Sequence, residues 1–283
     1  MAQIIDKVAN MSHAWLYGIL FILVALPLVY PLGLGISVGT LERLAYNTIE
    51  ATPDGSTVIY YNTFGTWVID AVGPTRVLLE HMFRKDMKII IVPHNAATIT
   101  NTIKMLEEVP AAQDKVYGED YIILTINIDD EVNHARFAAD IQGTSPTESV
   151  YGNPVSMYPI MDGINTVADV ALGIAKAEEG QPYIRQVIGV YGLKSVMVHG
   201  TDKIAVHASY VQAGIIEGAV DGIVAYAAYE KLIGLPGDAS KQMDSLSLAV
   251  AYALFLLIVG NVNMVLKRRR TGASPQVSGG QRN

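Results

Sequence analysis

Two uncharged apolar runs, one near each end of the chain, constrain this sequence more than anything else in it. The first is AWLYGILFILVALPLVYPLGLGI, from Ala14 to about Ile36, and the second is LSLAVAYALFLLIVGNVNMVL, from Leu246 to Leu266. Each exceeds roughly 20 residues, which at about 1.5 Å per residue crosses a hydrocarbon core of about 30 Å. Both are therefore predicted transmembrane helices, spanning 14–36 and 246–266. They explain why the hydrophobic share is 51% and the mean hydropathy +0.30, above the range of an ordinary globular domain.

The first run also admits a signal-peptide reading, because Lys7 precedes it. It is longer than an apolar signal region of about 7–15 residues, however, and no A-x-A-like site follows. Pro27 and Pro31 near its outer end predict a kink or an early stop, since proline removes a backbone donor. The second run meets Lys267-Arg268-Arg269-Arg270, a basic block that favours the cytoplasmic side. A double-pass protein in the cell membrane follows, with the termini (1–13 and 267–283) cytoplasmic and residues 37–245 extracytoplasmic. The tail after Arg270 is rich in Gly and Ser and reads as disordered.

The 37–245 segment carries 14 Lys and Arg against 26 Asp and Glu. Such an acidic body repels phosphate backbones, so nucleic acid is not an expected partner. The absence of cysteine excludes disulfides and thiolate metal sites, and it fits either compartment.

Within that segment, short β-branched runs alternate with helical ones. Strands are predicted at Thr57–Tyr61, Lys88–Val92, Tyr121–Ile126, Val170–Ala175 and Ser195–Val198. Helices are predicted at about Ile69–Lys85, Thr98–Val109, Glu131–Ile141 and Tyr183–Val190. Alternation of this kind implies parallel pairing with crossover helices, hence a three-layer, Rossmann-like α/β domain inserted between the two spans. The loop Gly143–Gly163 is long for a compact domain; its Tyr151, Met157 and Tyr158 are read either as a cover over a sheet end or as plain packing.

YVQAGIIEGAVDGIVAYAAYEKLIG, from Tyr210 to Gly234, is apolar nearly all round a helix and places Gly214, Gly218 and Gly222 four apart. Glycine costs about 1 kcal/mol relative to alanine in a helix interior, so the spacing predicts close approach of another backbone. The preferred reading is a final soluble helix packed on the sheet or on a second subunit, which makes these glycines candidate oligomer contacts. The alternatives are a third span, with Glu217 and Asp221 as costly intramembrane carboxylates, and a membrane-surface helix.

Ligands of open parallel sheets collect beyond the C-terminal strand ends. Just past the predicted strands lie Asn62-Thr63, His94-Asn95, Asp129-Asp130 and His199 followed by Asp202. Turn chemistry favours the same residue types. If the edge is catalytic, His94 or His199 would serve as base and Asp129 or Asp130 would orient it, while Asn62 and Asn95 would donate to a developing charge. No nucleophile stands out: the one G-x-S-x-G, Gly35-Ile36-Ser37-Val38-Gly39, sits at the end of the first apolar run and not after a strand, and G-x-x-x-x-G-K-[ST] does not occur. The histidines with Asp129 and Asp130 supply metal-ligand types, but Glu131-x-x-His134 occurs only once, so no metal is assigned. The residues name no cofactor.

LLEHMFRKDMKIIIV, YGEDYIIL, AAYEKLIGLPG and the closing KRRR resemble a family of uncharacterised double-pass prokaryotic membrane proteins with a Rossmann-like domain between two transmembrane helices. The resemblance covers about 200 residues and implies architecture without an activity. Where the family has an acidic, glycine-rich turn after the first strand, this chain has Asn62 to Trp67. Three functions remain in order of preference. The first is a non-catalytic subunit or scaffold that self-associates or binds partner membrane proteins. The second is a small-ligand sensor using the strand-end edge, and the third is a membrane-anchored hydrolase at that edge.

Overall fold

A computed structural model describes residues 11–62, 72–93, 95–125, 130–176 and 180–271, together with Lys7. In chain order its elements begin with α1 (His13–Val29), α2 (Thr40–Ala51), β1 (Thr57–Asn62), α3 (Val72–Arg84), β2 (Lys88–Pro93) and α4 (Ala96–Glu108). Next come β3 (Tyr121–Ile123), α5 (Glu131–Ala139), β4 (Leu172–Lys176) and α6, which joins Gly180–Tyr183, a π-helical turn Ile184–Ile188 and Gly189–Tyr191. The chain continues through β5 (Ser195–His199), α7 (Ile204–Gln212), β6 (Gly218–Asp221), α8 (Gly222–Leu232) and α9 (Asp238–Thr271). Contacts group it into two units, Met1–Leu34 with Lys241–Asn283, and Gly35–Ser240.

The second unit is built on one six-stranded, all-parallel sheet in the order β3-β2-β1-β4-β5-β6. A parallel sheet carries crossover helices on both faces, so its strands are apolar throughout rather than alternating. TVIYYN, KIIIVP and LGIAK fit that rule, with Val58, Ile59, Tyr60 and Tyr61 all fully buried. Ile59, Tyr61, Ile90 and Val92 point to the face that packs Phe137 of α5 and Tyr183 of α6. The alternate positions Tyr60 and Asn62 meet α3 and α4 on the other face.

The first unit pairs two apolar helices. Tyr252 Oη donates to the Leu16 carbonyl at 3.1 Å and Ser245 Oγ to the Val24 carbonyl at 2.9 Å, so rising numbers in α1 meet falling numbers in α9 and the pair is antiparallel. Below the end of α1, the backbone amides of Leu32, Gly33 and Leu34 all donate to the buried carboxylate of Asp244, at 2.6, 2.9 and 2.8 Å. Positive φ at Gly33 (+66°) lets three successive amides converge on one anion.

Asp238–Arg269 is long and apolar enough to cross a membrane, with mean hydropathy 2.1 over its best window. The predicted span 246–266 lies inside it. The predicted extent of the first apolar helix, 14–36, is corrected: α1 stops at Val29 after 17 residues, about 25 Å at the helical rise. Tyr30 is already extended (φ −125°, ψ 105°), as the residue before a proline prefers to be.

The segment 210–234 is also corrected, because it is not one helix. α7 ends at Gln212, Gly214 takes φ +68°, Gly218–Asp221 forms β6, and Gly222 takes φ +76° at the start of α8. Left-handed glycines at the first and third positions of the stripe break the helix on either side of a short strand. A Cβ on Gly218 would overlap the backbone of Ala45, so the close approach is to α2 of the same chain. The two carboxylates have partners within the fold: Glu217 accepts from the Ser195 amide at 2.6 Å, and Asp221 contacts His207.

Replacing Gly218 with Val is expected to destabilise the protein by about 2–3 kcal/mol, because neither backbone can retreat from the overlap. Gly214→Ala, with open space around its Cβ position, carries only left-handed strain of about 1 kcal/mol. Thermal unfolding in mild detergent measures both. Changes in oligomeric state without loss of stability would restore the intermolecular role of these glycines.

Candidate functional site

The strand order reverses direction between β1 and β4, and in open parallel sheets ligands commonly bind outside the C-terminal strand ends at such a reversal. The last paired residues there are Asn62 and Lys176, side by side in register. Both are buried, at 4% and 3% exposure. Lys176 Nζ donates to Thr75 Oγ1 at 2.5 Å, and the same oxygen accepts from Tyr60 Oη at 2.8 Å. Thr75 lies in the first turns of α3, the helix after β1. Asn62 Nδ2 donates to Thr102 Oγ1 at 2.9 Å, which passes its own proton to the Thr98 carbonyl at 2.8 Å. The geometry thus fixes an amine, an amide and two threonines on one face of one sheet end.

Burial lowers the Lys176 pKa to about 7, because an ammonium removed from water loses its hydration. The amine therefore changes charge near neutrality. A negatively charged group brought against it would favour the ammonium form.

A second polar cluster sits at the ends of β5 and β6, where His199 and Asp221 are in register. His207, from α7, holds Asp221 with Nδ1 at 2.9 and 2.8 Å from the two carboxylate oxygens, and both residues are buried. His199 lies with its ring centroid 6.3 Å from that of His207. Its Nδ1 accepts from the Gly200 amide at 2.7 Å, so Asp202, at 3.3 Å from the same nitrogen, acts as a charge neighbour and not as a second acceptor for it. Tyr226 Oη closes the cluster from α8 by donating to the His199 carbonyl at 2.6 Å. Strand alternation puts Lys176 and Asn62 on the α3 face, and His199 and Asp221 on the α7 face.

Of the residues predicted at the edge, Thr63, His94 and Asp129 lie outside the described residues. Asn95 and Asp130 are helix N-caps: Asn95 Oδ1 accepts from the Thr98 amide at 2.9 Å, and Asp130 Oδ1 from the Asn133 amide at 2.7 Å. Their side chains do what turn chemistry asks of them. Asn62 lies beside Lys176, and His199 with Asp202 lies beside the His207–Asp221 pair. Sequence reasoning missed Lys176 because it ended the fourth strand at Ala175, one residue early. It missed the partnership of Asp221 and His207 because the segment holding Asp221 was read as helix. Among the described residues no group of three or more His, Asp or Glu side chains is arranged to hold a metal ion.

Comparison of the chain with protein-family profiles, with characterised proteins and with solved structures gives no match.

Lys176→Met tests the electrostatics of the site directly. With the folded-state pKa near 7 and the unfolded one near 10.4, the unfolded chain binds more protons between those values, so wild-type stability rises with pH across that window. Below about pH 7 both states carry the charge and the full burial penalty applies. The Met variant is expected to exceed wild type by a few kcal/mol at pH 6, with the gap closing by about pH 10. Unfolding followed at both pH values measures it.

Proposed function

We infer that the chain is a membrane-anchored binding protein whose α/β domain takes a small anionic ligand at the C-terminal edge, between β1 and β4. The observation that carries this reading is Lys176, a buried amine placed where the strand order reverses. Asn62 beside it and Thr75 in the opening turns of α3 add neutral hydrogen-bonding groups. The scaffold reading rests on the glycine-spaced segment, the acidic surface and the lack of catalytic signatures. With those glycines spread over a turn, a strand and a helix start, the sheet edge carries more of the argument than self-association does.

A second reading, a membrane-anchored hydrolase, is favoured by the His207–Asp221 contact. A histidine whose Nδ1 is held by a buried carboxylate is oriented as a general base. It still needs a nucleophile.

For the membrane, we propose a double-pass hairpin of α1 and α9 with both termini cytoplasmic and the α/β domain outside. The antiparallel contacts of the two helices, their exposed apolar side chains such as Phe21, Ile22, Leu254 and Leu257, and the Lys267–Arg270 block support it. Residues 30–34, tied to Asp244, would complete the shorter passage in extended form.

Two experiments test these readings. A thermal-shift panel of inorganic phosphate, nucleotides and small di- and tricarboxylates at pH 6.5 should contain a class that stabilises wild type, with the effect lost in Lys176→Met and weakened as pH rises through about 7. No stabilising anion, or one indifferent to Lys176, contradicts the binding site. Because the natural sequence has no cysteine, Glu119→Cys provides a single label site on the domain. Reaction with an impermeant maleimide in intact cells is expected, and reaction only after permeabilisation reverses the topology.

A further inference from the structure

The sequence singled out Tyr151, Met157 and Tyr158 in a long loop, and the β1–β4 edge does not use them. Two of them surround Tyr117. The Tyr117 ring meets Tyr151 at a centroid distance of 5.4 Å and an interplanar angle of 81°, Tyr121 at 5.4 Å and 89°, and Tyr158 at 5.8 Å and 89°. Three of these tyrosines, 117, 121 and 151, line a cavity of about 320 Å³ beside the edge strand β3, with Ile103, Leu106 and Glu107 of α4 on its other wall.

The aromatic walls are held in place from behind by Glu148, a buried carboxylate. It accepts from Tyr117 Oη at 2.6 Å and from the backbone amides of Val150, Tyr151 and Asn153 at 2.6, 3.0 and 2.8 Å. Burial acts to raise the Glu148 pKa, but the Tyr117 hydroxyl and these amides more than offset it, so the group stays an anion. One carboxylate thereby fixes both the Tyr117 ring and the turn that presents Tyr151. Gly118, at φ +84°, leaves the space that the Tyr158 ring fills.

Perpendicular, electron-rich rings around a small cavity suit a cation better than a neutral apolar group, because each ring face carries the negative lobe of its quadrupole. A phenol that donates to a carboxylate is more electron-rich still. The cavity's one lysine, Lys115, has its ammonium 2.5 Å from Asp86, so its charge is already paired, while Glu107 adds an acidic rim. The surrounding domain, with 26 acidic against 14 basic residues over 37–245, draws cations toward it. A quaternary ammonium has the required combination, a diffuse positive charge with no N–H that demands an acceptor, and each added methyl group brings an ammonium closer to it.

We propose that the cavity walled by Tyr117, Tyr121 and Tyr151 is a binding site for a quaternary or polymethylated ammonium group. It is independent of the anion site at the β1–β4 edge and shares no residue with it.

The test uses the full chain in mild detergent and ligand-observed NMR titrations with tetramethylammonium, choline and 3,3-dimethyl-1-butanol, the uncharged isostere of choline. Both cations are expected to bind, with the alcohol at least about tenfold weaker. Tyr151 is exposed at 67%, so its replacement leaves the core intact: Tyr151→Ala should weaken cation binding about tenfold, whereas Tyr151→Phe, which keeps the ring, should bind as wild type does. The proposal is overturned by equal binding of the neutral isostere, by an unchanged affinity in Tyr151→Ala, by a loss in Tyr151→Phe that matches the loss in Tyr151→Ala, or by no cation binding up to about 10 mM.

Discussion

A sheet buried on both faces has nowhere to put a charge except at its ends. Every strand of this domain is covered by helices, and the middle of β1 is apolar and fully buried. Polar side chains from β1, β4, β5 and β6 therefore emerge together at the C-terminal edge, as Asn62, Lys176, His199 and Asp221. Asn62, Lys176 and Asp221 take side-chain partners from flanking helices: Thr102 from α4, Thr75 from α3, and His207 from α7. Lys176 donates to a neutral hydroxyl, and desolvation dominates its titration. An interior amine of this kind has the most to gain from an incoming negative charge, which is the physical reason for placing a ligand there.

Strands one to five were legible because each contains a compact β-branched run, KIIIV and SVMV being the plainest. β6 was illegible for a specific reason. Its sequence, GAVD, is four residues long and lies between two glycines that share a four-residue period with its own. That period mimics a helix face, while the real function of Gly214 and Gly222 is positive φ and that of Gly218 is room for α2. Local pattern does not separate these causes, because each depends on what lies opposite. The same limit applies to the site. Asn62 and His199 could be read from strand ends, but Lys176 needed the strand boundary to within one residue, and the His207–Asp221 contact joins a helix to a strand across 14 positions. Asn95 and Asp130, selected for chemistry at the strand ends, each cap a helix.

Carboxylates organise the chain at a larger scale as well. Glu230 accepts from the amides of Gly237, Ala239 and Ser240 and so satisfies donors at the start of α9 that the helix itself leaves open. Asp244 binds three amides just beyond α1, and Glu148 orders the tyrosine loop. In each case a buried carboxylate accepts hydrogen bonds from several backbone N–H groups. The acidic residues that give the chain its net charge of −7 thus include several that act inside the fold, apart from any effect on its surface.

The central claim, that the sheet edge holds an amine poised to meet an anion, is tested most directly by titrating Lys176 itself. Protein labelled with ¹⁵Nζ-lysine, with the Lys176→Met variant supplying the assignment, reports the pKa of that one group by NMR. The account predicts a midpoint near 7 in the free protein, moving upward when a bound anion stabilises the ammonium. A Lys176 that titrates with the ordinary surface lysines, near 10.4, would show the amine to be solvated and would remove the basis for a ligand site at this edge.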